Sequence, residues 1–204
     1  MRDPFGKFGG VSAILVGVLS ILFAAFWALE RRPVPMAPYG KWLTFALSGL
    51  FSSAAYVALY ERVKSSSPGY ALWGLVLGVA ASFAILIHGG FETLLFHKTV
   101  QAEGGRRAIF TAAKLVPSQV DPTGLATFFV VGIVSFVFSW LILQSGTLPG
   151  VFGRLGIANG VLLWTVFVAS AADIRWLVLA SGGLTLIVVG PIWWIWLGSL
   201  LMKE

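Results

Sequence analysis

Long apolar runs interrupted by isolated charges set the pattern of this chain. Phe8 to Leu29 gives 22 charge-free residues between Lys7 and Glu30, and Trp42 to Tyr60 gives 19 between Lys41 and Glu61. Ser65 to Phe91 gives 27, Pro122 to Gly153 gives 32, Leu155 to Ala172 gives 18 and Trp176 to Met202 gives 27. A helix rising about 1.5 Å per residue needs roughly 20 apolar residues to cross the hydrocarbon core. Trimmed at turn residues, the runs predict six spans at 8–29, 42–61, 69–91, 124–144, 154–172 and 175–202. The 32-residue run closes on Ser145-Gly146-Thr147-Leu148-Pro149-Gly150. That is turn chemistry, so the run holds one helix and not two.

Barrel strands would alternate in polarity over roughly ten residues, whereas these runs are longer and apolar on every face. The expected fold is therefore all-α: a polytopic membrane bundle forming a single domain over residues 1–204. The first run exceeds the apolar core of a secretory signal, and Glu30-Arg31-Arg32 follows it in place of a small-residue cleavage site. It is expected to be retained as a span.

Composition narrows the function classes. Of 204 residues 58% are hydrophobic and only 11% charged, too few charges to cover a soluble domain, which carries about a quarter. The absence of cysteine removes disulfides, thiolate metal sites and cysteine nucleophiles. The net charge of +6 comes from Lys and Arg standing singly or in pairs between spans. That placement suits anionic lipid headgroups and not nucleic acid. Eight Lys and Arg on the side of the first, third and fifth connections, against six on the other, favour termini outside by the positive-inside rule.

The connection from His97 to Asp121 is the long one. It splits the spans three and three, which invites an inverted-repeat reading, and residues 105–116 can form an interfacial helix. Small residues four apart mark expected helix contacts: Ala13 and Gly17; Ser48 and Ser52; Gly74, Gly78 and Ser82; Ser135 and Ser139; Gly156 and Gly160. Span two, rich in Ser, Gly and Ala, is placed centrally. Asn159, beside Gly156 and Gly160, is expected to hydrogen-bond between helices. Gly190-Pro191 predicts a kink, and Trp193, Trp194 and Trp196 after it read as a headgroup anchor or, alternatively, a stacking surface for pigment or quinone.

His88 and Glu92 carry the chemistry most visible in the sequence. If the helix continues through Gly89-Gly90, they share one face, one turn apart. Ionisable groups at membrane depth are default candidates for function. His88 could ligate a haem- or chlorophyll-type cofactor, or the pair could relay protons or ions. If the glycines end the helix, both groups lie at the interface instead. No nucleotide loop, two-histidine zinc pattern or nucleophile elbow occurs, so neither a catalytic residue nor a metal site is expected, nor an enzyme.

The stretch from Ser145 through Pro149 and Arg154-Leu155-Gly156 to Asn159-Gly160, with the Trp-rich close from Gly190 to Leu201, resembles a pattern in uncharacterised bacterial six-helix integral membrane proteins. The likeness covers roughly residues 120–202. It implies a multi-pass protein of the bacterial inner membrane and carries over no activity. Two functional expectations follow. One is a non-enzymatic accessory or structural subunit of a larger membrane complex, in contact with lipids and other subunits and with room for a lipid, quinone or pigment. The other is a small solute or ion transporter or channel using His88 and Glu92.

Overall fold

The computed structural model describes residues 4–30, 32, 34, 36–101 (97–101 by backbone alone), 121 and 124–203. They form α1 (Pro4–Leu29), α2 (Ala37–Val63), α3 (Pro68–Gln101), α4 (Leu125–Ser145), α5 (Gly150–Ala171) and α6 (Arg175–Met202), with no strand among the described residues. All six are long and apolar enough to cross a bilayer, and the chain is a multi-pass membrane bundle. The expected interfacial helix at 105–116 lies outside the described residues. Helix direction alternates, so Lys7, Lys64 and Thr147 mark one face of the bundle, while Glu30, Asp121 and Asp173 mark the other.

Each helix packs on the next in sequence, and the last part of α6 returns to α1 to close a ring. α2 also reaches α4 and α6 across it. Backbones approach closely where glycine removes the side chain between them. A methyl placed on Gly49 would lie 2.5 Å from the Ser82 carbonyl oxygen, and one on Gly198 would overlap the Gly10 carbonyl.

The third helix does not end at Gly89-Gly90. It runs on to Gln101, ten residues past the expected limit at 91. Gly89 is a contact residue: a methyl there would stand 2.6 Å from the Ala46 amide nitrogen of α2. Turns match their sequence signals more closely. Gly146 closes α4 in the left-handed conformation at φ 62°, its N–H donating to the Ile142 carbonyl at 3.0 Å. Asp121 caps the start of α4, accepting from the Thr127 amide (2.8 Å) and hydroxyl (2.7 Å).

The tryptophans of α6 depart from expectation. Trp193 and Trp194 are 1% and 9% exposed and point into the bundle, not to the headgroups. Trp193 stacks on Phe152 (centroids 5.2 Å apart, 14° between planes), and Trp194 meets Tyr56 edge-on at 5.3 Å. Tyr56 in turn stacks on Phe138. Offset and edge-on pairs of this kind contribute about 0.5–1.5 kcal/mol each beyond their contact area. They make a solid aromatic layer across the half of the bundle nearer Lys7. Trp176, 70% exposed at the start of α6, faces outward instead.

Gly190-Pro191 does not break α6. Instead Leu184–Val189, just before it, is wound as a π-helical turn. The Gly190 N–H donates to the Thr185 carbonyl, five residues back. In that register Pro191 would serve Leu186, but proline has no N–H to give. The Leu186 carbonyl therefore lacks both its i+4 and its i+5 backbone donors.

Candidate functional site

Above the aromatic layer lies a partly open cavity of about 90 Å³ to which all six helices contribute. One water needs roughly 10–15 Å³ of such space, so several waters or a small molecule fit. Val16, Leu19, Ser20 and Phe23 face it from α1, Phe45, Ser48, Ser52 and Tyr56 from α2, and Ser82 and Ile85 from α3. Phe128 and Val131 of α4, Asn159 and Leu163 of α5, and Thr185, Leu186, Gly190 and Trp194 of α6 complete it. Ser52, Ser82, Asn159 and Thr185 all lie in the middle stretches of their helices, which puts the polar part of the wall at mid-bilayer depth.

The π-turn delivers Thr185 to this wall. Asn159 Oδ1 and Thr185 Oγ1 are buried without a hydrogen-bond partner among the described residues, in side chains 5% and 7% exposed. Leaving such a group unmet costs about 1–3 kcal/mol. Both residues line the cavity, and a methyl on Gly190 of the π-turn would come within 3.8 Å of Asn159 Oδ1. The other half of the Asn159 amide bridges helices as expected: Nδ2 donates to Ser135 Oγ at 3.5 Å, and Ser135 Oγ donates to the Gly156 carbonyl at 2.9 Å. On the opposite wall Ser52 and Ser82 join α2 to α3 through a 2.8 Å hydroxyl pair.

The two ends of the cavity differ. Toward Lys7 it rests on Tyr56 and Trp194. Toward Glu30 it is bounded by Phe23, Phe45 and Phe128, whose centroids are 5.3 Å (Phe23–Phe45) and 6.3 Å (Phe45–Phe128) apart. His88 stands behind Phe45, edge-on to it at 6.1 Å and to Trp42 at 5.4 Å. Trp42 adjoins Lys41, which pairs with Glu30 at 2.6 Å. His88 is thus at the level of the charged Glu30 face. Because α3 is continuous, His88 and Glu92 do share one helix face, but among the described residues neither lines the cavity.

The glycines singled out from sequence sit at helix seams. Gly74 faces Val137 and Phe138 of α4, and Gly78 faces Tyr56 of α2 and Val134 of α4. Gly156 leaves no room for a methyl between Ser139 and Trp193, and Gly160 lies against the Gly132 carbonyl of α4. Thr185 was not foreseen as a site residue, and Ser48 and Ser52 read only as packing residues. A threonine five residues before a Gly-Pro pair in a span was the available signal.

One seam is open. No Cα of α1 lies within 8 Å of one in the Arg175–Gly183 segment of α6, although the rest of α6 packs along α1. The cavity lies where the two helices part.

No known protein family matches the chain, and neither characterised proteins nor solved structures give a match.

Proposed function

We propose that the protein is a small-solute transporter whose substrate rests in the mid-bilayer cavity, and that the cavity communicates with the Glu30 face past Phe45 and His88. The observation that carries this reading is the pair of unpartnered polar atoms, Asn159 Oδ1 and Thr185 Oγ1, in a cavity built by every helix of the ring. Ser12, Ser139, Trp164 and Trp193 also hold buried polar atoms without a partner among the described residues, but only Asn159 and Thr185 of this group line a space that a ligand could enter. A broken hydrogen-bond ladder at membrane depth is tolerated where it lines a cavity, and transporters place their sites at such helix discontinuities. His88 and Glu92 then belong to the entrance, outside the cavity lining.

The absence of cysteine makes the test direct. Single Ser48→Cys and Ser52→Cys variants in vesicles of fixed orientation are exposed to a membrane-impermeant thiol reagent from each side in turn. Reaction from both sides is the expected result. Reaction from one side only would reduce the cavity to a binding pocket. No reaction, together with stoichiometric co-purification of other membrane subunits, would restore the accessory-subunit reading.

A further inference from the structure

We infer that the cavity takes a small organic cation whose polar groups are all N–H donors, an amidinium- or ammonium-type compound. The inference rests on the transport reading above and names its substrate class.

The hydrogens of the lining serine hydroxyls are already used. Ser20 Oγ donates to the Val16 carbonyl at 2.9 Å, Ser48 Oγ to the Phe45 carbonyl at 2.7 Å and Ser82 Oγ to the Gly78 carbonyl at 2.8 Å. Such back-bonding spends the single O–H and leaves oxygen lone pairs facing outward. The orientation of Asn159 is fixed by the same logic. Ser135 Oγ gives its hydrogen to Gly156, so toward Asn159 it can only accept, and Nδ2 must face it. The amide oxygen is thereby turned to the cavity side. The Leu186 carbonyl, short of its ladder donors, adds a further acceptor on a lining residue. Thr185 and Tyr56 are the lining residues whose hydroxyl hydrogens are not spent on a neighbouring oxygen among the described residues.

A wall rich in acceptors and poor in donors discriminates by ligand chemistry. Carboxylates and phosphates bring only acceptors and meet few donors, chiefly the Thr185 and Tyr56 hydroxyls, against a larger number of oxygens. Amides and sugars bring both kinds and leave their own oxygens unmet, which is where site-built selectivity comes from. Guanidinium, amidinium and ammonium groups bring donors alone. The aromatic side chains of Phe23, Phe45, Phe128, Tyr56 and Trp194 in the lining offer π-surface that a cation can use as well. Among the described residues no Lys, Arg or His lines the cavity to oppose it, and no Asp or Glu lines it to hold a divalent metal. Neutral oxygens suffice for a monovalent ion that must also leave.

Acetamidinium, acetamide and acetate have nearly the same shape and differ in being donor-only, mixed and acceptor-only. Binding of each to the detergent-purified full chain is measured by titration calorimetry. Acetamidinium should bind about tenfold or more tightly than acetamide, with no heat from acetate. Asn159→Leu should weaken acetamidinium about tenfold, Asn159→Asp, which keeps an acceptor in place, should retain or strengthen it, and Thr185→Val should weaken it by a smaller factor. Equal or tighter binding of acetamide or acetate, or no binding of any probe, overturns the inference, and so does a folded Asn159→Leu protein that binds as wild type does. Should Asn159→Leu fail to fold, the probe order and Thr185→Val decide. Two-sided cysteine labelling without acetamidinium binding leaves transport standing and removes the substrate class. Acetamidinium binding with one-sided labelling does the reverse.

Discussion

The bundle has a closed half and a yielding half. Toward Lys7, α1 buries Gly6, Gly9, Gly10, Ser12, Ala13, Val16 and Gly17, while α6 buries seven residues between Gly190 and Leu201. Phe138, Phe152 and Trp193 fill the space between helices there. Toward Glu30, no residue of α1 after Gly17 is buried, and Ser181 is the buried residue of Arg175–Gly183. Lipid does not drive helices together as water does, so adhesion tracks van der Waals fit. The half in which α1 and α6 interlock holds the fold, and the half in which they part is freer to change shape. A transport cycle in such a molecule would open and close at the Glu30 face, with the Lys7 face letting substrate through only by a smaller adjustment around Tyr56 and Trp194.

Four substitutions test that division. Trp193→Ala, in the closed half, removes the side chain stacked on Phe152 and should cost about 3–5 kcal/mol, read as a large fall in thermal unfolding temperature in detergent. Gly156→Val places branched carbon where even a methyl collides with Ser139 and Trp193. It should cost about 1–3 kcal/mol or more by the same assay. In the yielding half, Phe45→Ala should cost less than Trp193→Ala because the ring is only half-buried, yet speed labelling of Ser52→Cys from the Glu30 face. A stability loss matching that of Trp193→Ala would show that the two halves are not mechanically distinct. Glu30→Gln removes a pair whose glutamate is a third exposed and should shift stability by about 1 kcal/mol or less.

A finer probe concerns the π-turn. Pro191→Ala supplies the missing N–H, and α6 should relax toward ordinary α-helical pairing. Thr185 then rotates away from the cavity, and a Thr185→Cys label should react more slowly. Unchanged reactivity would mean that Gly190 and packing, not the proline, set the turn.

The spans were legible because charge is intolerable at membrane depth: Lys7, Glu30, Lys41, Glu61 and Arg175 frame them within a few residues. Rotation about each helix axis was not legible, for the same reason. A helix that is apolar all round has no polar face to announce its outside, so Trp193 and Trp194 were assigned to headgroups when they fill the interior. Gly89 was ambiguous between terminator and contact, and only the approach of Ala46 distinguishes these. His88 and Glu92 drew attention as ionisable groups. Asn159 was read for the half of its amide that bridges helices, while the other half faces the cavity. Hydroxyls whose hydrogens are tied to the preceding turn, as in Ser20 and Ser48, look like packing residues until the space they face is known.

The glycine crossing of α1 and α6 has a mechanical consequence. At Gly10, Gly17 and Gly198 the two helices meet almost backbone to backbone, and beyond Gly17 they diverge, like the blades of scissors held at a rivet. From Gly17 to Leu29 is twelve residues, a lever of about 18 Å at 1.5 Å per residue. A rotation of about 10° at the rivet swings the Leu29 end by about 3 Å, the diameter of a water molecule, while the segment at Gly10 barely moves. Spin labels at Leu29 and Trp176 should therefore report a broad or bimodal distance, and labels at Gly6 and Met202 a single narrow one.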